Sequence, residues 1–136
     1  MQEVRVWAPA TVANVAVGFD ILGFAIQRPG DEIVARFTDE HSGLQISTIT
    51  GTGDKQLPYS LEENTAGYAA QQLLLHLGKE ELGIDLEIHK RMPFGSGMGS
   101  SAASAAGAVV AINELLDCPL DREALLYFAV GGEQKA

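Results

Sequence analysis

The sequence predicts an α+β fold: a two-layer sandwich with a mostly antiparallel or mixed sheet and helices packed on one face. Three observations carry this. Strand-like runs occupy residues 4–8, 21–26, 32–38, 44–50 and 84–90, and the last two alternate strictly between apolar and polar positions. Helix signals fall between and after these runs, with caps and stops at suitable positions. The 136 residues are 46% hydrophobic and 20% charged, which suits one globular domain with its own core rather than a disordered chain.

The elements follow in order. "VRVWA" (Val4 to Ala8) reads as a strand that Pro9 stops. "PATVANVAVGFD" has no clean period, and "ILGFAI" (Ile21 to Ile26) is again strand-like. Pro29 and Gly30 suit the two centres of a type II turn before "EIVARFT" (Glu32 to Thr38). "LQISTIT" (Leu44 to Thr50) alternates and predicts a half-buried strand, followed by a loop over residues 51–60. Ser60 and Glu63 have capping-box spacing, with Asn64 or Thr65 as alternative caps, and the helix they open should end near Leu77 with Gly78 beyond it. In "IDLEIHK" (Ile84 to Lys90), Ile84, Leu86 and Ile88 should face inward and Asp85, Glu87 and His89 outward. A glycine-rich stretch then leads into a helix that reaches about Leu116 before Pro119. Asp121 caps a last helix, which shows no stop signal after Glu133 and suggests the front part of a longer enzyme whose C-terminal domain is absent.

Bulk properties narrow the function. A net charge of −9 disfavours nucleic acid and anionic lipid as partners, so a bound phosphate must be held locally. No segment approaches the ~20 apolar residues of a membrane span. Glu3 and Pro9 stand where a signal peptide needs an apolar run, and the single cysteine, Cys118, suits a reducing cytoplasm and reads as a small buried hydrophobe. Trp7 and Tyr68 read as core or half-core residues, Glu80 and Glu81 as solvated surface, and His76 as a helix-end histidine facing the dipole.

The stretch "MPFGSGMGSSAASAA" (Met92 to Ala106) has the ingredients of an anion site. Gly95, Gly97 and Gly99 let a ligand approach the main chain, and the amides of the following helix lack internal partners. Those amides and the helix dipole favour phosphate, and Ser100 and Ser101 add hydroxyls that can reach a phosphate oxygen or a metal. The loop is not a Walker A motif, because no lysine lies between Gly99 and Ser100. It is not a Rossmann fingerprint either, because Ser100 replaces the third glycine. Asp117, about 20 residues on, follows a helix instead of a strand and is a decoy for a ribose-binding acid. A plain strand-to-helix turn with a small-residue packing helix is the structural alternative.

"P-F-G-S-G-M-G-S-S-A-A" (Pro93 to Ala103) resembles the phosphate loop of the GHMP kinases, usually P-x-x-x-G-L-G-S-S-A, with Met98 where leucine is commoner. "APATVANVAVGFDILGFAI" is similar to the opening of the branch of that family that phosphorylates homoserine. Thr11, Ala13, Asn14, Gly18, Phe19 and Asp20 match, while Val15 and Ala16 depart. "ENTAGYAAQQLL" (Glu63 to Leu74) is similar to a third shared segment. The resemblance implies a GHMP kinase N-terminal ATP-binding domain over residues 1–136, of ribosomal-protein-like fold. It implies ATP and Mg²⁺ as cofactors, L-homoserine as the small-molecule substrate in threonine biosynthesis, a cytoplasmic location and a homodimer.

Residue by residue, the resemblance places nucleotide on Pro93, Phe94, Gly95, Ser96, Gly97, Met98, Gly99, Ser100, Ser101, Ala102 and Ala103. It adds Asn64 and Lys90 to the nucleoside pocket, gives Ser100 and Glu133 to Mg²⁺, and gives Asn14 and Asp20 to the amino-acid substrate, with Asp20 facing its ammonium. Read without the resemblance, Asn14 and Asp20 are turn formers, Glu133 is solvated, and Lys90 is an exposed edge-strand charge. No residue stands out as a catalytic base, and phosphoryl transfer can proceed on positioning and charge neutralisation. Two other functions fit the same residues: a GHMP kinase of mevalonate or sugar type, or a non-catalytic nucleotide-binding module.

Overall fold

Seven elements appear in the computed structural model, which describes residues 3–9, 30–51, 57–90 and 100–135. The strands are β1 (Glu3–Pro9), β2 (Gly30–Phe37), β3 (Leu44–Thr50) and β4 (Ile84–His89), and the helices are α1 (Thr65–Leu77), α2 (Ser100–Leu115) and α3 (Arg122–Lys135). The sheet order is β1-β2-β4-β3, with β1–β2 and β2–β4 antiparallel and β4–β3 parallel. The parallel pair requires a crossover, and α1 lies within it. The expected mixed α+β sandwich is therefore the fold. The anticipated strand at 21–26 lies outside the described residues, and Gly30, expected in a turn, pairs with Pro9 at the start of β2.

Alternation decides which side of each strand is dry. Ile33 pairs with Val6 and Ile88, and Ala35 with Val4 and Leu86, so these side chains share the face beneath the helices. Ile33, Leu86 and Ile88 are buried, each worth on the order of 2 kcal/mol in transfer terms. In β3 the alternation breaks: the register shifts between Ile46 and Thr48, so Ser47 is a bulged extra residue.

Capping sets α1. Asn64 is the cap in place of Ser60, and Gly78 ends the helix in a left-handed conformation, its N–H reaching Leu74 and Leu75 carbonyls. Gly67 is where α1 crosses β3 closely, because a methyl there would sit 2.9 Å from Ile46 Cδ1. His76 in the last turn packs tilted, at 53° with ring centroids 5.3 Å apart, against Phe128, which joins α1 to α3.

α2 is the central helix. Ala103, Ala105, Ala106, Ala108, Val109, Ala111, Ile112 and Leu115 are all buried, so small side chains let it lie against β1, β2, α1 and α3 together. Asn113 closes its far end: its amide donates to the Leu120 carbonyl and accepts from the Leu120 N–H. Asp121 then caps α3 through the Ala124 N–H, as expected.

Three expectations are corrected. Trp7 is 41% exposed, because its parity in β1, shared with Glu3 and Arg5, points it to the open face. Cys118 is exposed too, in a left-handed turn that it shares with Asp117. The Glu114 carboxylate 3.3 Å from the thiol pushes its pKa up, so this is a poorly ionised surface thiol. The third correction, Lys90, belongs to the site.

Candidate functional site

In the sequence the glycine-rich stretch lies between the end of β4 and the start of α2, whose first-turn amides have no intrahelical partners. Residues 91–99 lie outside the described part of the structure, and so do Asn14 and Asp20; of the predicted loop set this leaves out Pro93, Phe94, Gly95, Ser96, Gly97, Met98 and Gly99. Ser100, Ser101 and Ala102 form the first turn of α2, and Ala103 is buried just behind them. Glu133 lies near the end of α3.

The base of the loop is built around charge. Lys90, the first residue after β4, directs its ammonium inward to Asp31 Oδ2 at 2.8 Å and to Ser104 Oγ at 2.7 Å. Ser104 Oγ in turn donates to Asp31 Oδ2 at 3.0 Å. The side chains of Lys90 and Asp31 are 3% and 0% exposed. Lys90 is therefore not an exposed edge-strand charge. It continues β4, which is a central strand, and the alternation that sends Ile84, Leu86 and Ile88 inward sends Lys90 inward as well.

The main chain holds Lys90 as firmly as its side chain does. Its N–H donates to the Thr50 carbonyl at 2.9 Å, and a methyl at Gly51 would collide with the Lys90 carbonyl. Gly51 also has φ +79°, so a side chain there is excluded twice over.

Asn64 is buried at the mouth of α1. Its side-chain oxygen accepts from the Gly67 N–H at 3.0 Å and its amide donates to the Pro58 carbonyl at 2.9 Å. This arrangement fixes the approach of residues 57–63 to the helix. It gives Asn64 a structural role whatever else the residue contacts.

The open face of the sheet carries a second charged cluster. Arg5 reaches Glu32 and Glu3, and Arg36 bridges Glu3 and Glu87. His89 donates from Nε2 to the Glu87 carboxylate at 3.1 Å, and its Nδ1 shares a hydrogen bond with the Thr50 hydroxyl at 2.7 Å. Burial alone would raise the Glu87 pKa, but hydrogen bonds from Arg36 and His89 outweigh it and hold the carboxyl low. At the opposite end of the sheet, His41 pairs with Asp85 at 2.7 Å, which raises the imidazole pKa.

Two residues of the buried cluster escaped the sequence reading. Asp31 shares the inward parity of Ile33 and Ala35, and Ser104 interrupts a run of buried alanines. Either signal marks a polar group in a dry position, and such groups need partners.

Comparison with known proteins supports the same region. The family model for the GHMP kinases N terminal domain matches residues 64–136, which takes in Asn64, the loop and all of α2 and α3. The homoserine kinase of Chlorobium phaeovibrioides is 48% identical over the whole chain, which covers 45% of that protein. The crystal structure of homoserine kinase from Cytophaga hutchinsonii superposes with a TM-score of 0.84 at 45% identity, covering 100% of this chain and 42% of that one. The mevalonate kinase of Methanococcus jannaschii shares the fold with a TM-score of 0.61 at 19% identity, covering 98% of this chain and 45% of that one. The chain thus spans a little under half the length of the relatives it matches. The matched family model and the identity to homoserine kinases along the whole chain agree: the chain belongs to the GHMP kinases, and its residues 64–136 match their N-terminal domain.

Proposed function

We propose that this chain is the nucleotide-holding front part of a homoserine kinase, which phosphorylates the hydroxyl of L-homoserine with ATP to give O-phospho-L-homoserine in threonine biosynthesis. The observation that carries this reading is end-to-end identity of 48% and 45% to two homoserine kinases, against 19% to a mevalonate kinase of the same fold. The similarity includes the opening segment with Asn14 and Asp20, the part that faces the acceptor in this reading. The assembly is a cytoplasmic homodimer in the same reading; among the described residues no helix is long and apolar enough to cross a membrane.

In this reading the amides of Gly95 to Ser101 hold the triphosphate, and α2 supplies the positive end of its dipole. The net charge of −9 makes such local donors necessary. Ser100 and Glu133 fit Mg²⁺ as oxygen donors, and Ser100 stands at the first position of α2, directly after the loop. These two residues would hold the ion, which would supply charge neutralisation at the phosphate oxygens. Asp20 pairs with the substrate ammonium, and Asn14 orients the amino acid so that its hydroxyl faces the γ-phosphate.

The test is a coupled assay for ADP on the full-length protein with homoserine, mevalonate and galactose. Turnover with homoserine well above the other two supports the reading. Equal or greater turnover with mevalonate or galactose reassigns the acceptor, and nucleotide binding without turnover indicates a non-catalytic module.

A further inference from the structure

We propose that Lys90, Asp31 and Ser104 form a positioning unit that sets both ends of the phosphate loop, and that Lys90 acts on the nucleotide through this unit. The inference rests on the nucleotide-binding reading above. It concerns the three residues that meet at one buried point, at 2.7, 2.8 and 3.0 Å.

Lys90 immediately precedes residues 91–99, and Ser104 lies in the second turn of α2, just after them. Asp31 is the second residue of β2, just after the sequence segment that carries Asn14 and Asp20. One cluster therefore ties together the entry to the loop, the exit from it, and the segment proposed to face the acceptor.

Stability alone does not account for such a cluster. A buried ion pair is often no more stable than apolar residues of the same volume. The surrounding positions show that the apolar alternative was open: Ile33, Ile88, Ala103, Ala105 and Ala106 pack the same region. What a charged, hydrogen-bonded trio adds is direction. An apolar contact tolerates a slide or a turn of α2, whereas an Oγ held by both an ammonium and a carboxylate fixes the helix in rotation and height. One residue of slippage moves a helix by 1.5 Å and turns it by about 100°. Misplacement of about 1 Å can cost a factor of about 100 in rate where reacting groups must be aligned. Gly51 and Thr50 hold the Lys90 main chain from the other side, so the anchor does not drift as a whole.

The test uses the full-length protein and two readouts, binding of a non-hydrolysable ATP analogue by calorimetry and steady-state KM for each substrate. Ser104→Ala keeps helix propensity and removes only the hydroxyl. It is expected to weaken the analogue by about threefold to tenfold at near-parental Tm, with KM for homoserine changed less than about twofold. Lys90→Met combined with Asp31→Asn removes both charges and keeps volume. It is expected to hold Tm close to the parent while weakening the analogue about tenfold or more.

Parental analogue affinity in the double variant overturns the proposal and leaves the trio a structural feature only. Parental affinity in Ser104→Ala together with loss in the double variant also overturns it, because Lys90 then touches the nucleotide directly. The functional reading fails separately: a parent that binds the analogue but phosphorylates a different alcohol refutes the acceptor and leaves the positioning unit standing. A parent that binds no analogue overturns both.

Discussion

The two faces of the sheet handle charge in opposite ways. On the open face, Arg5, Arg36, Glu3, Glu32, Glu87 and His89 form a chain of partly exposed pairs over three strands. On the covered face, among the described residues, a single pair, Lys90 with Asp31, sits out of water and shares one hydroxyl. Solvent screens the first set, so losing a member costs little and other members remain. Nothing screens the second, so losing one partner strands a charge in the core. The number of ion pairs therefore says less about a region's rigidity than their dryness does. The dry pair is the one at the foot of the loop.

Breaking the covered pair should have the largest effect. Lys90→Met alone leaves the Asp31 carboxylate without its ammonium and should lower unfolding free energy by about 3–5 kcal/mol, read by urea denaturation of the full-length protein. A loss under about 1 kcal/mol would place the pair with its open-face counterparts.

Asn64→Ala sharpens the contrast at a neutral site. It removes the α1 cap and the donor to the Pro58 carbonyl, and should cost about 1–2 kcal/mol in the same measurement. A smaller loss would mean that water replaces the cap and that Asn64 is free to serve the nucleotide instead.

Arg36→Ala tests the open face. It breaks two pairs, to Glu3 and to Glu87, yet should cost about 1 kcal/mol or less, and added salt should shrink the difference further. A loss as large as that of Lys90→Met would erase the distinction drawn here.

The smallest expected effect is a slope with pH. The hydrogen bond and charge of Asp85 raise the His41 pKa above its ordinary 6.5. Protonated His41 thus stabilises the fold fully below 6.5, and the contribution is lost as pH rises through the raised value. Glu87 has the opposite sign: its lowered pKa contributes stability above 4.5, lost as pH falls through the depressed value. Thermal unfolding followed from about pH 5 to 9 should show a decline that His41→Gln flattens. An unchanged slope in the variant would remove His41 as its source.

Much of the fold was legible in the residues. Period-two alternation identified β3 and β4, Gly78 and Asp121 marked helix boundaries, and strands interleaved with helices specified the α+β class. What escaped was pairing. Trp7 looks like core until the register of β1 on β2 shows that its odd positions face outward. Ser47 spoils an apparently perfect alternation because a bulge is a property of two strands, not one. Lys90 was misjudged for the same reason: its parity pointed inward, but only the sheet order shows that β4 is central and that Asp31 and Ser104 meet it there. The helix start at Ser100 is a local feature and was legible, whereas the glycines before it lie outside the described residues. The cluster beneath it joins residues 73 positions apart and could not be read from any local window.

The most direct test is a crystal structure of the full-length protein with a non-hydrolysable ATP analogue and magnesium. The account predicts triphosphate oxygens on the amides of Gly95 to Ser101, with Lys90 Nζ still paired to Asp31 at about the present 2.8 Å. An analogue bound elsewhere, or a Lys90 side chain withdrawn from Asp31 to grip a phosphate, would contradict it.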